Sequence, residues 1–345
     1  MDKRILIIPE RSGATPNACA YVRLIHPLET LQQRLPIAII DISKLVTPEN
    51  PITDLDLSCF SAISTQRTSP FQIMGVWQLL LRAKEKGIPI HWDIDDMPFG
   101  GDEKSHESNY LSLLAKSTLR MKEVATKVTV STQAIHKELA SLFSSISTHQ
   151  NALAQGLWTS SLTRNSNSVL YFGLEAHKSG LETISDMLHK RNLRNLKRMN
   201  FQIDAIGPFG KNYHPLINVT SVPNSVISYP RFASWLSQRN SSSIGLIYHN
   251  ASAINRGKSA IKALEYSLMG LTTLSNLNEA VVNDPVREFI SIASDADYVD
   301  EMLRLFQDEF SQEKYSRQAK EYVLNNRMLT NDHRSMTEFF SDFLN

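Results

Sequence analysis

The sequence predicts an α/β protein made of two doubly wound parallel sheets, and three observations carry that expectation. Short β-branched runs alternate with longer amphipathic stretches along the whole chain, the arrangement that generates βαβ units. The alternation occurs twice, in halves of similar size separated by the polar stretch TSSLTRNSNS at 159–168. A length of 345 residues is long for one core and comfortable for two.

In the first half, strands are predicted at 4–8, 37–42, 62–65, 88–93 and 127–131, with a weaker one at 146–149. Helical patterns fill the intervals at 20–34, 71–86, 110–126 and 133–142. The second half repeats the pattern, with strands at 169–172, 201–206, 217–222, 244–248, 271–274 and 289–292. It closes with a charged helix at 311–326 and a last helix at 330–344, whose Met336, Phe339, Phe340 and Phe343 form an apolar stripe.

In open parallel sheets the ligand crevice lies beyond the carboxyl ends of the strands, so the loops after each strand are where chemistry is expected. The loop after the first strand, Glu10 to Asn17, contains one glycine, Gly13, and leads into a helix bearing Tyr21, Arg23 and Pro27. One glycine is not a dinucleotide fingerprint. Gly13 and Arg23 are candidates for contact with an acceptor substrate, against the alternative of an ordinary βα loop. Gln66 and Arg67 end an otherwise apolar run after the third strand. The fourth strand opens into HWDIDDMPFGG, with three carboxylates in four residues. Asp93 completes the strand, which leaves Asp95 and Asp96 as the candidate catalytic carboxylates. The polar, glycine-containing stretch 100–108 reads as a loop over a site.

The densest charge on an otherwise buried pattern lies at 248–276. A helix is predicted over 259–269, closed by Gly270 in the position of a C-cap glycine. On it Lys258, Lys262 and Glu265 would share one stripe, a quarter-turn from the apolar stripe Ile261, Leu264 and Leu268. Arg256, Lys258 and Ser259 would stand at the positive end of the helix dipole, an arrangement that suits a phosphate. Glu265, two turns in, could accept hydrogen bonds from sugar hydroxyls. The plain alternative is a solvated amphipathic helix with one Glu–Lys pair.

The run NRGKSAIKALEYSLMG resembles the donor-site helix of GT-B glycosyltransferases of the family 4 type (glycosyl transferases group 1), in which a Lys/Ser-rich approach leads to a Glu followed five residues later by Gly. Glu265 and Gly270 match that pattern. The DIDD stretch followed by an apolar residue resembles a motif of a GT-B subgroup at the loop facing the donor sugar, not the metal-binding Asp-x-Asp of the GT-A fold. Gly173, His177 and Lys178 resemble the first turn of the family's second domain, and 229–236 resembles a segment beside the nucleotide base.

The resemblance implies a GT-B fold of two Rossmann-like domains facing a central cleft. Residues 1–160 would be the acceptor domain, 168–326 the nucleotide-sugar donor domain, and 327–345 a C-terminal helix crossing back to the first. It further implies a transfer that retains anomeric configuration and needs no metal or other cofactor, the nucleotide-sugar being a co-substrate. Arg256, Lys258 and Lys262 would meet the diphosphate, Glu265 the ribose hydroxyls, and Asp95 or Asp96 the donor sugar or acceptor hydroxyl. The acceptor would be a glycan, a lipid-linked glycan or a protein, with peripheral membrane contact among the expectations. One position departs from the pattern. The family's first carboxylate, eight residues before Glu265, is here Gly257.

Composition limits the alternatives. With 36 basic and 35 acidic residues, the chain is not built to hold a nucleic-acid backbone. Cys19 and Cys59 form neither a metal spacing nor a disulfide framework. No apolar run approaches bilayer length, and the start lacks a signal-peptide pattern, so a cytoplasmic location is expected. No nucleophile elbow, Walker loop or His/Cys metal spacing competes. The remaining alternatives are a non-catalytic sugar-nucleotide-binding or scaffold protein and a nucleotide-sugar epimerase.

Overall fold

The computed structural model describes residues 3–45, 52–100, 108–158, 168–191, 193–239, 241–330 and 336–344. The chain divides into two compact units: Met1–Ala154 with Arg256–Ser259 and Leu329–Asn345, and Gln155–Asn255 with Ala260–Met328. The anticipated linker at 159–167, the loop at 101–107 and the first turn of the last helix at 331–335 lie outside the described residues.

The first unit is built on β1 (Lys3–Ile8), β2 (Ile37–Asp41), β3 (Ala62–Gln66), β4 (Ile90–Ile94), β5 (Lys127–Val130) and β6 (Ile146–Thr148). They pair in the order β2-β1-β3-β4-β5-β6, every pair parallel. Strands β3 and β4 are buried along their whole length, as expected for a parallel sheet covered on both faces. One face packs Leu79, Leu80 and Ala83 of the helix Val76–Glu85 around Trp92, with Leu114 of the helix Ser108–Met121. The other packs Leu24, Leu28 and Leu31 together with Met336, Phe339 and Phe340 of the terminal helix Met336–Leu344. The chain winds one way from β1 to β2 and the other way from β3 onward. The sheet reverses between β1 and β3, whose ends lead to Glu10 and Arg67.

The second unit is built on β7 (Ser168–Phe172), β8 (Gln202–Ile206), β9 (Ile217–Thr220), β10 (Ile244–Ile247), β11 (Thr272–Asn276) and β12 (Ser291–Ala293). Their order, β9-β8-β7-β10-β11-β12, all parallel, is the 3-2-1-4-5-6 order of dinucleotide-binding sheets. The reversal here lies between β7 and β10. Among the described residues no helix is long and apolar enough to cross a membrane.

Three predicted helices differ from their expected form. The helix expected at 20–34 widens over Tyr21–Ile25 into a π turn, in which the His26 amide reaches the Tyr21 carbonyl. Pro27 follows, and without an N–H it cannot carry the i→i−4 ladder through this point. The helix expected at 71–86 is two helices, Ser69–Gln72 and Val76–Glu85, parted where Gly75 adopts φ 85°. The helix expected from 259 starts at Ile261, because Ala260 at ψ 19° breaks the helical path. A separate short helix, Ala253–Arg256, precedes it. Lys258 therefore does not share a helical stripe with Lys262 and Glu265. Gly270 does close the helix, at φ 74°.

Candidate functional site

Each sheet reversal is bordered by a cluster that includes some of the expected residues. In the first unit, Glu10 follows β1, Arg67 follows β3, and Asp95 and Asp96 follow β4. All four are under one-tenth exposed. Their centre is the Arg67 guanidinium. Its Nε donates to Asp95 Oδ1, Nη1 to Glu10 Oε2 at 2.9 Å, and Nη2 lies 3.1 Å from Asp96 Oδ2 and 2.8 Å from Cys19 Sγ. Lys258 closes the cluster, its Nζ 2.8 Å from Asp96 Oδ1, and the Tyr110 hydroxyl donates to Asp96 Oδ2 at 3.0 Å.

Asp96 is thereby engaged at both oxygens. Burial alone would raise its pKa, but Arg67 and Lys258 outweigh burial and hold the carboxyl well below the usual range. Asp95 is the less engaged of the two, with Arg67 at one oxygen and the Cys19 thiol beside it.

Asp93 has a different place. It is fully buried against fully buried Arg23, with Nη2 2.7 Å from Oδ1, and also accepts from Thr129 Oγ1 at 2.6 Å and Gln66 Nε2 at 3.2 Å. Arg23 Nε also donates to Asp93, and Nη1 reaches the His149 carbonyl and Asn151 Oδ1. Arg23 thus sits inside the unit with no exposed surface rather than on a surface loop. Gly13 lies at the exposed tip of the two-residue turn between Arg11–Ser12 and Thr15–Pro16, where its φ of 66° favours glycine.

Residues 256–259 also belong to this unit. A Cβ on Gly257 would come within 2.8 Å of the Met97 amide nitrogen and 3.2 Å of Ile135 Cγ1. A glutamate therefore has no room there, and the missing first carboxylate is a feature of the packing. Ser259 Oγ accepts from Asn151 Nδ2 at 2.7 Å. Arg256 is exposed and forms no ion pair with a described residue. The two stretches that carry the family resemblance, 91–99 and 255–270, meet here through Asp96 with Lys258 and Met97 with Gly257.

In the second unit, Gly173 follows β7 at the reversal. Its missing side chain admits the His177 imidazole, whose ring atoms would lie 2.7–2.9 Å from a Cβ, and His177 Nδ1 accepts from the Leu174 amide at 3.3 Å. His177 ends a 3-10 turn and Lys178 opens the helix Lys178–His189. Lys178 is half-exposed and pairs loosely with Glu175 at 3.7 Å. Lys262 Nζ donates to the Phe172 carbonyl at 2.8 Å and stands 4.0 Å from the Phe172 ring centroid.

Glu265 is buried next to Lys262 on the helix Ile261–Met269. Its Oε1 accepts from the Tyr229 hydroxyl at 2.7 Å, and that hydroxyl accepts from Trp158 Nε1 at 3.0 Å. Trp158 in turn stacks on Phe172.

Burial raises the Glu265 pKa from an ordinary 4.5 to about 7, with Lys262 and the Tyr229 hydrogen bond opposing it in part. The folded protein therefore binds more protons than the unfolded chain between pH 4.5 and 7. Stability from this group is complete below 4.5, falls as pH rises, and levels off above 7. The total fall is about 3 kcal/mol. Glu265→Gln keeps an acceptor for Tyr229 and should flatten this part of the pH–stability curve. Urea unfolding from pH 4 to 8 measures it, and an unchanged slope in the variant would show that Glu265 is ionised throughout.

Among the described residues no three His, Cys, Asp or Glu side chains are grouped to hold a metal ion. Sequence reasoning assigned no function to Arg67, Glu10, Tyr110 or Trp158. The available signal was a buried strand ending in an arginine.

No known family's sequence profile matches the chain, and no curated protein matches it in sequence. Its likeness to solved structures is one of fold. TarM matches with a TM-score of 0.58 at 9% identity over 82% of this chain and 54% of TarM. The chain thus spans about half the length of that protein. A variant of S. aureus TarM was solved with fondaparinux, α-GlcNAc-glycerol and UDP. HepE from Anabaena, in complex with UDP-glucose, matches at 0.63 and 10% identity over 98% of this chain and 99% of HepE. WaaG, a glycosyltransferase involved in lipopolysaccharide biosynthesis, matches at 0.59 and 8% identity over 99% of each chain. With two parallel-sheet α/β units and these neighbours, the fold is GT-B.

Proposed function

We propose that the chain is a glycosyltransferase of the family 4 type. It moves a sugar from a nucleotide-sugar donor, UDP-linked in the first instance, to an acceptor hydroxyl in glycan or polysaccharide assembly. Transfer retains anomeric configuration and needs no divalent metal. The observation that carries the reading is the end-to-end likeness in fold to HepE, a protein solved with UDP-glucose. The glycan ligands of the TarM complex favour a glycan acceptor. The work is cytoplasmic, with peripheral membrane contact where the acceptor is lipid-linked.

In this reading the bond between the anomeric carbon and the β-phosphate oxygen breaks, its electron pair leaving with UDP. The acceptor oxygen bonds to the anomeric carbon on the same face and its proton passes to the departing phosphate. Glu265 receives the ribose hydroxyls, and Gly173, His177, Lys178 and Lys262 line the donor crevice of the second unit. Arg256 is the exposed cation available to the diphosphate. Lys258 is engaged with Asp96 in the acid cluster instead, and Ser259 with Asn151. Asp95 presents its carboxylate to the sugar being transferred and favours positive charge developing at the anomeric carbon.

One observation favours a second reading. The site of the first family carboxylate is closed to a side chain at Gly257, which suits a protein that binds sugar nucleotides without turnover. Thermal unfolding with UDP, GDP, dTDP, CMP and their sugars, with and without EDTA, tests binding. A nucleotide at a hundred times its Kd should stabilise the fold by about 2.7 kcal/mol. A midpoint raised by UDP, indifferent to EDTA and accompanied by UDP release from a UDP-sugar, is the result expected of a transferase. The same rise without release from any donor points to the binding protein, and no rise with any nucleotide removes both readings.

A further inference from the structure

The guanidinium at the centre of the first unit's acid cluster is one that neither the family resemblance nor the comparisons assign. Arg67 is buried at the β1–β3 reversal, and its three nitrogens address three carboxylates from two segments: Glu10 after β1, and Asp95 and Asp96 after β4. Its backbone is fixed as well. The Arg67 amide donates to the Asp93 carbonyl at 2.9 Å, and its own carbonyl accepts from Trp92 Nε1 at 3.0 Å. The residue lies at φ 41°, in the left-handed region that side chains other than glycine seldom adopt. An arginine held so, at the expected ligand end of the sheet, has its guanidinium plane set before any substrate arrives.

We propose that Arg67 is the positioning residue of the transfer reaction, whose planar fork sets the direction of the Asp95 carboxylate while separating it from Asp96. The inference rests on the glycosyltransferase reading above. Two adjacent carboxylates left to themselves would repel, and one would take up a proton. The fork prevents this by giving each a separate nitrogen. Lys258 and Tyr110 anchor Asp96 from the other side, so Asp96 is the fixed post and Asp95 the carboxylate presented to substrate. Glu10 holds the far end of the guanidinium and is itself held by Thr68 Oγ1 at 2.8 Å and Asn17 Nδ2 at 2.7 Å. The other titratable groups facing Arg67 are Cys19, Tyr110 and Lys258.

A lysine keeps the charge but is a single point that cannot serve three carboxylates in one plane. In Arg67→Lys, the kcat for UDP release from UDP-glucose or another nucleotide sugar should fall about 100-fold, with donor KM within about threefold. The acid limb of the kcat/KM profile should move up, since Asp96 loses the hold of one of the two cations that keep its carboxyl below the usual range. A purely structural role would lower the melting temperature without moving that limb. If the lysine variant does not fold, Arg67→Gly relieves the left-handed backbone, and added guanidinium should restore at least a tenth of the lost rate.

Turnover within threefold of wild type in either variant, or an unmoved acid limb with no rescue, overturns the proposal and leaves the transferase reading standing. A wild-type protein that releases no nucleotide from any donor overturns both, because there is then no reaction for Arg67 to serve.

Discussion

Replacing Arg23 by methionine should cost the first unit about 3–5 kcal/mol of unfolding free energy, the loss expected when a buried ion pair is broken from one side. Asp93 would keep its hydrogen bonds from Thr129 and Gln66 but lose the one cation paired with it among the described residues, at zero exposure. The His149 carbonyl and Asn151 Oδ1 would lose their Arg23 donor in the same step. Urea unfolding at pH 7 measures the cost. Arg23→Met with Asp93→Leu should recover a large part of it, because an apolar pair of similar volume leaves no buried charge. A single-variant cost under 1 kcal/mol would mean that water enters to solvate Asp93, and the role given to Arg23 would have to be withdrawn.

That pair also marks how far the sequence could be read. Strands covered on both faces show in the sequence as short runs rich in apolar and β-branched residues, and each strand expected from such a run is present. Strand order needed the structure, since β1 to β3 and β7 to β10 are adjacent in space and not in sequence. Helix starts were harder. Nothing in KSAIKALEY shows that Ala260 leaves the helical path, and the expected Lys258 stripe vanished with it. Lys258 instead reaches Asp96, 162 residues away in the chain, a separation no local period can report. Arg67 was missed for the same reason. Its meaning lies in the convergence of three carboxylates whose common point is fixed only by the sheet reversal. Arg23 stood out as a charge near a βα loop, yet its partner was a strand residue set aside because it finished β4. The sequence located the polar segments, and the division between structural and presented charges required their geometry.

The division between Asp95 and Asp96 gives the strongest functional expectation. Asp95→Asn should lower kcat for transfer by about 10²–10³-fold, roughly 3–4 kcal/mol of barrier, because an amide accepts a hydroxyl but cannot favour positive charge at the anomeric carbon. UDP affinity should stay within about twofold, since the groups proposed to hold UDP lie in the second unit and Arg256 is untouched. Asp96→Asn should behave differently. It removes a carboxylate engaged by Lys258, Arg67 and Tyr110 and leaves buried Arg67 and part-buried Lys258 sharing less negative charge, so the melting temperature falls along with the rate. Steady-state release of UDP and thermal unfolding of the two variants, measured together, separate these effects. If Asp95→Asn kept turnover within threefold while Asp96→Asn abolished it at unchanged stability, the roles would be reversed: Asp96 would be the carboxylate at the reacting centre, and the ion pairs around it would have to open when substrate binds.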